Sequence, residues 1–270
     1  MRALDRGRIV GAALLALPST SCLLTLDDSR IPHGDAGASS SAYREVVLAD
    51  DPLAYWRLGD EELPTARDEK DAHPGTYFGG VKLGVAGALA GDSDTAVEFD
   101  ADAGSYVRVP GDAFRFADAA PFTIEAWAKP AGFDLQYRSI VARDGDNPNG
   151  VQGYLLWFQE TNPIGFETFA DGEDKCACLN NQPLPPTDAY IHLVATYEHL
   201  ALKLYESGNL VASGAVSKPV GDFDQDLTIG AHAGGNGAGF TGAIDEVAVY
   251  DHVLSAEQVL AHHEAGAAKP

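Results

Sequence analysis

Basic residues are what this chain has least of for its size: 18 Lys and Arg stand against 40 Asp and Glu, a formal charge of −22 at pH 7 over 270 residues. That balance repels nucleic acid, since no Lys/Arg-rich face offsets it, and it disfavours adsorption to anionic lipid headgroups. Divalent cations are concentrated near such a surface, and a solvated acidic shell that keeps the chain soluble accounts for the same excess. Cysteine is almost missing, at three residues. No apolar run approaches the ~20 residues that span a bilayer. Absent as well are a Gly-x-Ser-x-Gly elbow, a phosphate loop, a dinucleotide fingerprint and a His-Glu-x-x-His metal pattern. The common hydrolase, nucleotide-binding and zinc-protease classes lose their sequence support.

What is present points to a folded, turn-rich chain. Hydrophobic residues make up 45%, charged residues 21% and aromatic residues 9%, with 29 glycines and 15 prolines. This composition suits a sizeable core and many strand-to-strand turns. The first 21 residues read as a targeting segment: Arg2, Arg6 and Arg8 precede the short apolar run Ile9–Leu17, and Pro18-Ser19-Thr20-Ser21 leads to Cys22. The segment resembles bacterial lipoprotein signal peptides, in which the mature chain starts at a diacylated cysteine. That resemblance implies export, a lipid anchor at Cys22 and a place in the cell envelope. Leu17 sits two positions earlier than the usual lipoprotein box requires, so plain cleavage after Ser21 stays open. Residues 22–42, with Asp27, Asp28, Gly34, Asp35, Gly37 and Ser39-Ser40-Ser41, read as a flexible tether.

From Tyr43 the pattern is one of short strands with turn punctuation. The strand segments are Leu53–Leu58, Thr76–Phe78, Ala96–Phe99, Tyr106–Val109, Phe122–Trp127, Ser139–Val141, Tyr154–Phe158, Gly165–Phe169 and Ile191–Tyr197, then Leu202–Tyr205, Leu210–Ala212 and Ala243–Tyr250. Ser207-Gly208 marks a tight hairpin. Only the C-terminus reads as helical: Ser255 and Gln258 form a capping box, and Gly266 stands where a helix would stop. The expected fold class is all-β, a two-sheet antiparallel sandwich over residues 43–270 with a short C-terminal helix.

In that order and spacing, several segments resemble the LamG-like jelly-roll domains of the concanavalin A-like lectin/glucanase superfamily. They are Ala54-Tyr55-Trp56-Arg57-Leu58-Gly59, Gly75-Thr76-Tyr77, Ser105-Tyr106-Val107, Phe122–Trp127, His192–Tyr197, Leu202–Tyr205, Gly239–Tyr250 and Leu254-Ser255-Ala256. The resemblance covers roughly residues 43–266. It implies a jelly-roll scaffold that serves non-catalytic recognition in most members, and a structural Ca²⁺ near the strand that holds Asp245. Asp68 matches the other aspartate found in such domains. Read from alternation alone, Asp245 shares a face with Val247 and Val249 and needs a metal, an arginine or backbone donors; capping backbone N–H groups without a metal is the alternative.

Other constellations carry less. Asp144-Gly145-Asp146-Asn147-Pro148-Asn149 fails the EF-hand pattern at Pro148 and Leu155 and reads as a solvated hairpin loop. Asp222, Asp224 and Asp226 read as an acidic turn. Glu98-Phe99-Asp100-Ala101-Asp102 approximates the Glu-x-Asp-x-Glu of retaining glucanases but ends in the shorter Asp102. Cys176-Ala177-Cys178 lies in a polar stretch. Export favours a disulfide there, serving as a local loop staple in a small, reducible ring, and a zinc site needs more ligands than the stretch offers. His192 reads as a strand histidine, and Trp157 as either core or a sugar-stacking ring. The expectation is a surface-tethered, non-enzymatic module that binds extracellular or cell-envelope glycan. A protein–protein adhesion or scaffolding module is the alternative, and a glucanase or polysaccharide lyase on the same fold a third.

Overall fold

A computed structural model describes residues 42–268 apart from 117–118, 149, 181, 222–223 and 233–237. The targeting segment, Cys22, nearly all of the tether, Asn149 and Asp222 lie outside the described residues. The described strands form two eight-stranded sheets. The first runs β14 (Asn209–Ala215), β13 (Ala201–Glu206), β12 (Ile191–Glu198), β7 (Phe122–Pro130), β16 (Gly242–Tyr250), β5 (Thr95–Phe99) and β4 (Lys82–Ala86), with β1 (Ala54–Trp56) also paired to β16. The second runs β11 (Glu173–Cys178), β10 (Ile164–Ala170), β9 (Gly150–Phe158), β8 (Arg138–Asn147), β15 (Leu227–Ile229), β6 (Tyr106–Val109), β3 (Gly75–Phe78) and β2 (Thr65–Ala66). Neighbours pair antiparallel, so the expected all-β, two-sheet sandwich is what the chain forms.

Period-two alternation builds the core. Phe122, Ile124, Ala126 and Ala128 of β7 face the interior together with Leu193, Ala195 and Tyr197 of β12 and Tyr154, Leu156 and Phe158 of β9. The rings of Phe116, Phe122 and Tyr197 stack near its centre. Between β13 and β14 the chain turns on Ser207 (φ 48°) and Gly208 (φ 79°), the two left-handed residues a tight hairpin needs.

Three expectations are corrected. Cys176-Ala177-Cys178 is no loop: it lies in the edge strand β11, paired residue for residue with β10. Asp245 does not share the face of Val247 and Val249. Ile244, Val247 and Val249 all face the main core, so the alternation slips by one at Asp245–Glu246, where β16 carries a bulge and Glu246 takes φ 51°. And the C-terminal helix is not the only one. Ala42–Ala49 forms α1, with Tyr43 and Val47, four apart on one side, both buried.

Eight residues are too few to be helical alone; docking decides the matter. α1 and α2 (Ala256–Ala267) contact one another, and their buried residues join a second apolar cluster with residues of the first sheet: Tyr43 and Val47 meet Trp127, Val194, Tyr250 and Val259. Ser255 caps α2 through the expected box with Gln258. Gly266 lies in the last turn of α2, which runs one residue further to Ala267; a Cβ there would sit 2.5 Å from the Trp127 ring.

A buried carboxylate locks this layer. Glu125 of β7 accepts hydrogen bonds from Tyr43 Oη (2.9 Å), Tyr250 Oη (2.8 Å), His192 Nε2 (2.7 Å) and His262 Nδ1 (3.0 Å). His262 Nε2 donates onward to Asp50 Oδ2 at 2.9 Å. Burial pushes the Glu125 carboxyl up, but the charge of His262 and the bonds from both histidines outweigh it and hold it below the ordinary carboxylate range. Burial lowers His262, yet Glu125 and Asp50 raise it to about 9. His262→Ala leaves a buried charge without its cation and is expected to cost about 3–5 kcal/mol of unfolding free energy near pH 6 by urea titration. A raised pKa means that the His262 contribution is full below pH 6.5 and fades as pH rises through about 9. A variant equal to the parent at pH 6 contradicts this reading.

Candidate functional site on the second sheet

With the helices lying on the first sheet, the outward face of the second sheet is left without a helical layer among the described residues. In β3 and β6, Tyr77, Val107 and Val109 point inward, which turns Thr76, Phe78, Tyr106 and Arg108 outward. Phe78 and Tyr106 face each other across the strand pair, half-buried, with rings stacked at 5.0 Å and 12°. The Arg108 guanidinium lies 4.8 Å from the Phe78 ring centre, and its Nε is 3.7 Å from Asp226. An aromatic shelf beside a cation and a carboxylate suits the apolar faces and hydroxyls of a polar ring. Sequence reading missed it, although the spacings Thr76-x-Phe78 and Tyr106-x-Arg108 beside inward valines were visible.

Trp157 also lies on this side, off the main core, but it is 1% exposed. Its ring packs with Ala142, Leu155 and Cys178, and Tyr137, 40% exposed, meets it edge-on at 4.7 Å. Trp157 is thus a floor and not itself a stacking surface. Near it Asp144 Oδ2 accepts from His232 Nδ1 at 2.6 Å, and burial with the charge of Asp174 pushes Glu167 up to about 7.

The two aspartates assigned to Ca²⁺ behave differently. Asp68 Oδ1 accepts the N–H groups of Tyr55 and Lys70, and its Oδ2 those of Ala72 and His73, at 2.8–3.1 Å. A carboxylate saturated by four backbone donors is a loop cap, and it does not fit a cation ligand. Asp245 Oδ2 accepts from Ala88 N at 2.7 Å, whereas the buried Oδ1 has no partner. Among the described residues no three His, Cys, Asp or Glu come together in a metal-holding group. The positive group nearby is Arg57, which binds Glu246 (2.8 Å), Asp92 (2.6 Å) and Asp94 (3.0 Å). Glu98 is exposed beside Lys82, and the Asp100 carboxylate caps the Asp102 N–H in a turn. His192 is the expected strand histidine, spent on Glu125.

A family model for the concanavalin A-like lectin/glucanases superfamily, Laminin_G_3, matches residues 101–260. The match spans more than half of the chain, which belongs to this family. Among solved structures, domain 4 of AbnA, a GH43 extracellular arabinanase from Geobacillus stearothermophilus in complex with arabinotriose, is 18% identical with a TM-score of 0.57, over 78% of this chain and 98% of that one. The binding domain of Paraclostridial Mosquitocidal Protein 1 is 14% identical with a TM-score of 0.59, and that of botulinum neurotoxin DC in complex with SialylT is 11% identical with a TM-score of 0.59. This chain covers 51% of each of those two. Such identities establish a shared fold. No curated protein matches the chain.

Burial, reinforced by the neighbouring Glu246, raises the Asp245 carboxyl well above its ordinary value. A raised acid stabilises below its unfolded pKa and progressively less as pH rises. Asp245→Asn should therefore match the parent near pH 4 and exceed its stability by roughly 1 kcal/mol or more at pH 8, measured by denaturant titration. A variant that is weaker at pH 8, together with a parent whose melting responds to chelator, would restore the cation reading.

Proposed function

We propose that this chain is a non-catalytic recognition module that binds extracellular or cell-envelope glycan on the open face of its second sheet. The observation that carries the reading is the half-exposed Phe78–Tyr106 pair with Arg108 beside it, on the sandwich face without helices. Sugar rings present apolar C–H faces to aromatic rings and hydroxyls to charged groups, and this patch supplies both partners. The arabinotriose and SialylT complexes of similarly folded domains support a glycan as the ligand class. A domain of the same fold also occurs in complex with rat synaptotagmin II, which supports a protein partner as the second reading. The signal-like start and Cys22 add an envelope tether to the proposal.

A glycan array probed with the full chain, once with Ca²⁺ and once with chelator, is expected to return a specific class of hits in both arms. Tyr106→Ala should weaken the best hit about tenfold while costing the fold only about 1–2 kcal/mol, so that the variant stays folded at the assay temperature. Hits that survive Tyr106→Ala and Arg108→Ala together would move the site elsewhere, and an empty array with a co-purified envelope protein would favour the protein reading.

A further inference from the structure

At the other end of the second sheet, Cys176 and Cys178 form a disulfide within the edge strand β11. One cysteine is open and the other sheltered: Cys176 is exposed, Cys178 only 9% so. The register sets Glu167 opposite Cys176 and Gly165 opposite Cys178. Residues directly opposite in an antiparallel pair have Cβ atoms about 4.5–5.5 Å apart, so Glu167 and Cys176 are cross-strand neighbours on one face. Gly165 leaves room for the Trp157 indole, which a Cβ there would strike at 2.2 Å, and Cys178 packs on that ring. Glu167 is 8% exposed, and burial with Asp174 brings its titration to about 7. The charged and titratable groups on it are Asp174, Asp144, His232 and Tyr137, with Lys175 beside the disulfide in sequence.

A purely structural staple gains from having both sulfurs buried and no acid beside them. Exchange chemistry gains from the opposite: one open sulfur, one sheltered sulfur, and a proton carrier that titrates near neutrality. We propose that Cys176–Cys178 is a redox-active disulfide that accepts electrons from an external pair of thiols, with Glu167 as the proton donor to Cys176. An external thiolate attacks Cys176 Sγ, forming a mixed disulfide and breaking the Cys176–Cys178 bond; Cys178 leaves as a thiolate and takes a proton from water. A second external thiolate then attacks the external sulfur of the mixed disulfide. Cys176 leaves as a thiolate and receives the Glu167 proton. Two external thiols become one disulfide, and the protein disulfide becomes two thiols. An external disulfide, acting as oxidant, runs the same steps backwards, with the Glu167 carboxylate drawing the proton from Cys176.

The test uses the folded full chain with two electron donors, reduced glutathione and a short peptide dithiol, followed by acid quench, alkylation and mass spectrometry. Both donors should open the disulfide without denaturant, and whichever is faster at equal thiol concentration identifies the source as small-molecule or protein thiols. With oxidised glutathione, Cys178→Ser should form the Cys176 adduct at least tenfold faster than Cys176→Ser forms the Cys178 adduct. Glu167→Gln should remove the near-neutral inflection from the exchange rate against pH, with a melting midpoint equal to the parent's near pH 4 and no lower than the parent's at pH 8. A double Cys→Ser chain that melts like the parent is expected. Reduction only in denaturant, equal reactivity of the two cysteines, an unchanged pH profile in Glu167→Gln, or a double variant that fails to fold would each overturn the proposal in favour of a structural staple. None of these outcomes bears on the glycan reading, whose shelf lies on β3 and β6.

Discussion

The layer over the first sheet depends on one buried carboxylate. A buried charge must be met by donors and a cation, and Glu125 of β7 draws them from four other elements: Tyr43 of α1, His262 of α2, His192 of β12 and Tyr250 of β16. Two short helices with modest intrinsic stability are thereby fixed in place. The residues between are apolar or aromatic, and His262, its pKa raised by Glu125 and Asp50, carries its proton at neutral pH to pair with Glu125. The arrangement is high-stakes: fully satisfied it specifies one docking geometry, and with one partner missing it leaves a charge uncompensated.

Closing one face gives the other its meaning. A two-sheet sandwich has two outward faces, and here α1 and α2 occupy one of them. The second sheet is left to carry surface chemistry, with an aromatic shelf on β3 and β6 and an acidic, disulfide-bearing patch on β10 and β11. The strongly negative charge of the chain fits this division. Arg108 stands out locally as a cation beside aromatic rings, and a neutral or hydroxyl-rich ligand avoids the repulsion an acidic one would meet. Membership of the concanavalin A-like family supplies the scaffold; in the proposed reading the residues on the open face supply the function.

Much of this was legible in the sequence. β7 announced itself by alternation, β9, β12 and β16 by apolar runs between turn residues, and the Ser255–Gln258 box marked the start of α2. What the sequence hid has physical causes. The bulge at Asp245–Glu246 inverts the alternation in mid-strand, and no local residue signals it, because Glu246 adopts a left-handed φ that its side chain does not advertise. β11 reads as a loop because an edge strand can be polar on its exposed side, and α1 is too short for its period to stand out. Gly266 looks like a helix stop by residue type but is there because the Trp127 ring leaves no room for a Cβ. Asp68 and Asp245 matched by position, yet only the backbone around them shows that one is saturated by N–H donors and the other is half unpartnered.

Amide hydrogen–deuterium exchange of the full chain, alone and with the best-bound oligosaccharide, probes the open-face account most directly. The account predicts slowed exchange or shifted protection concentrated on β3 and β6, around Phe78 and Tyr106–Arg108, with the α1 and α2 layer unchanged. Protection confined to the helical side, or to the loops at the ends of the sandwich with β3 and β6 unaffected, would contradict it.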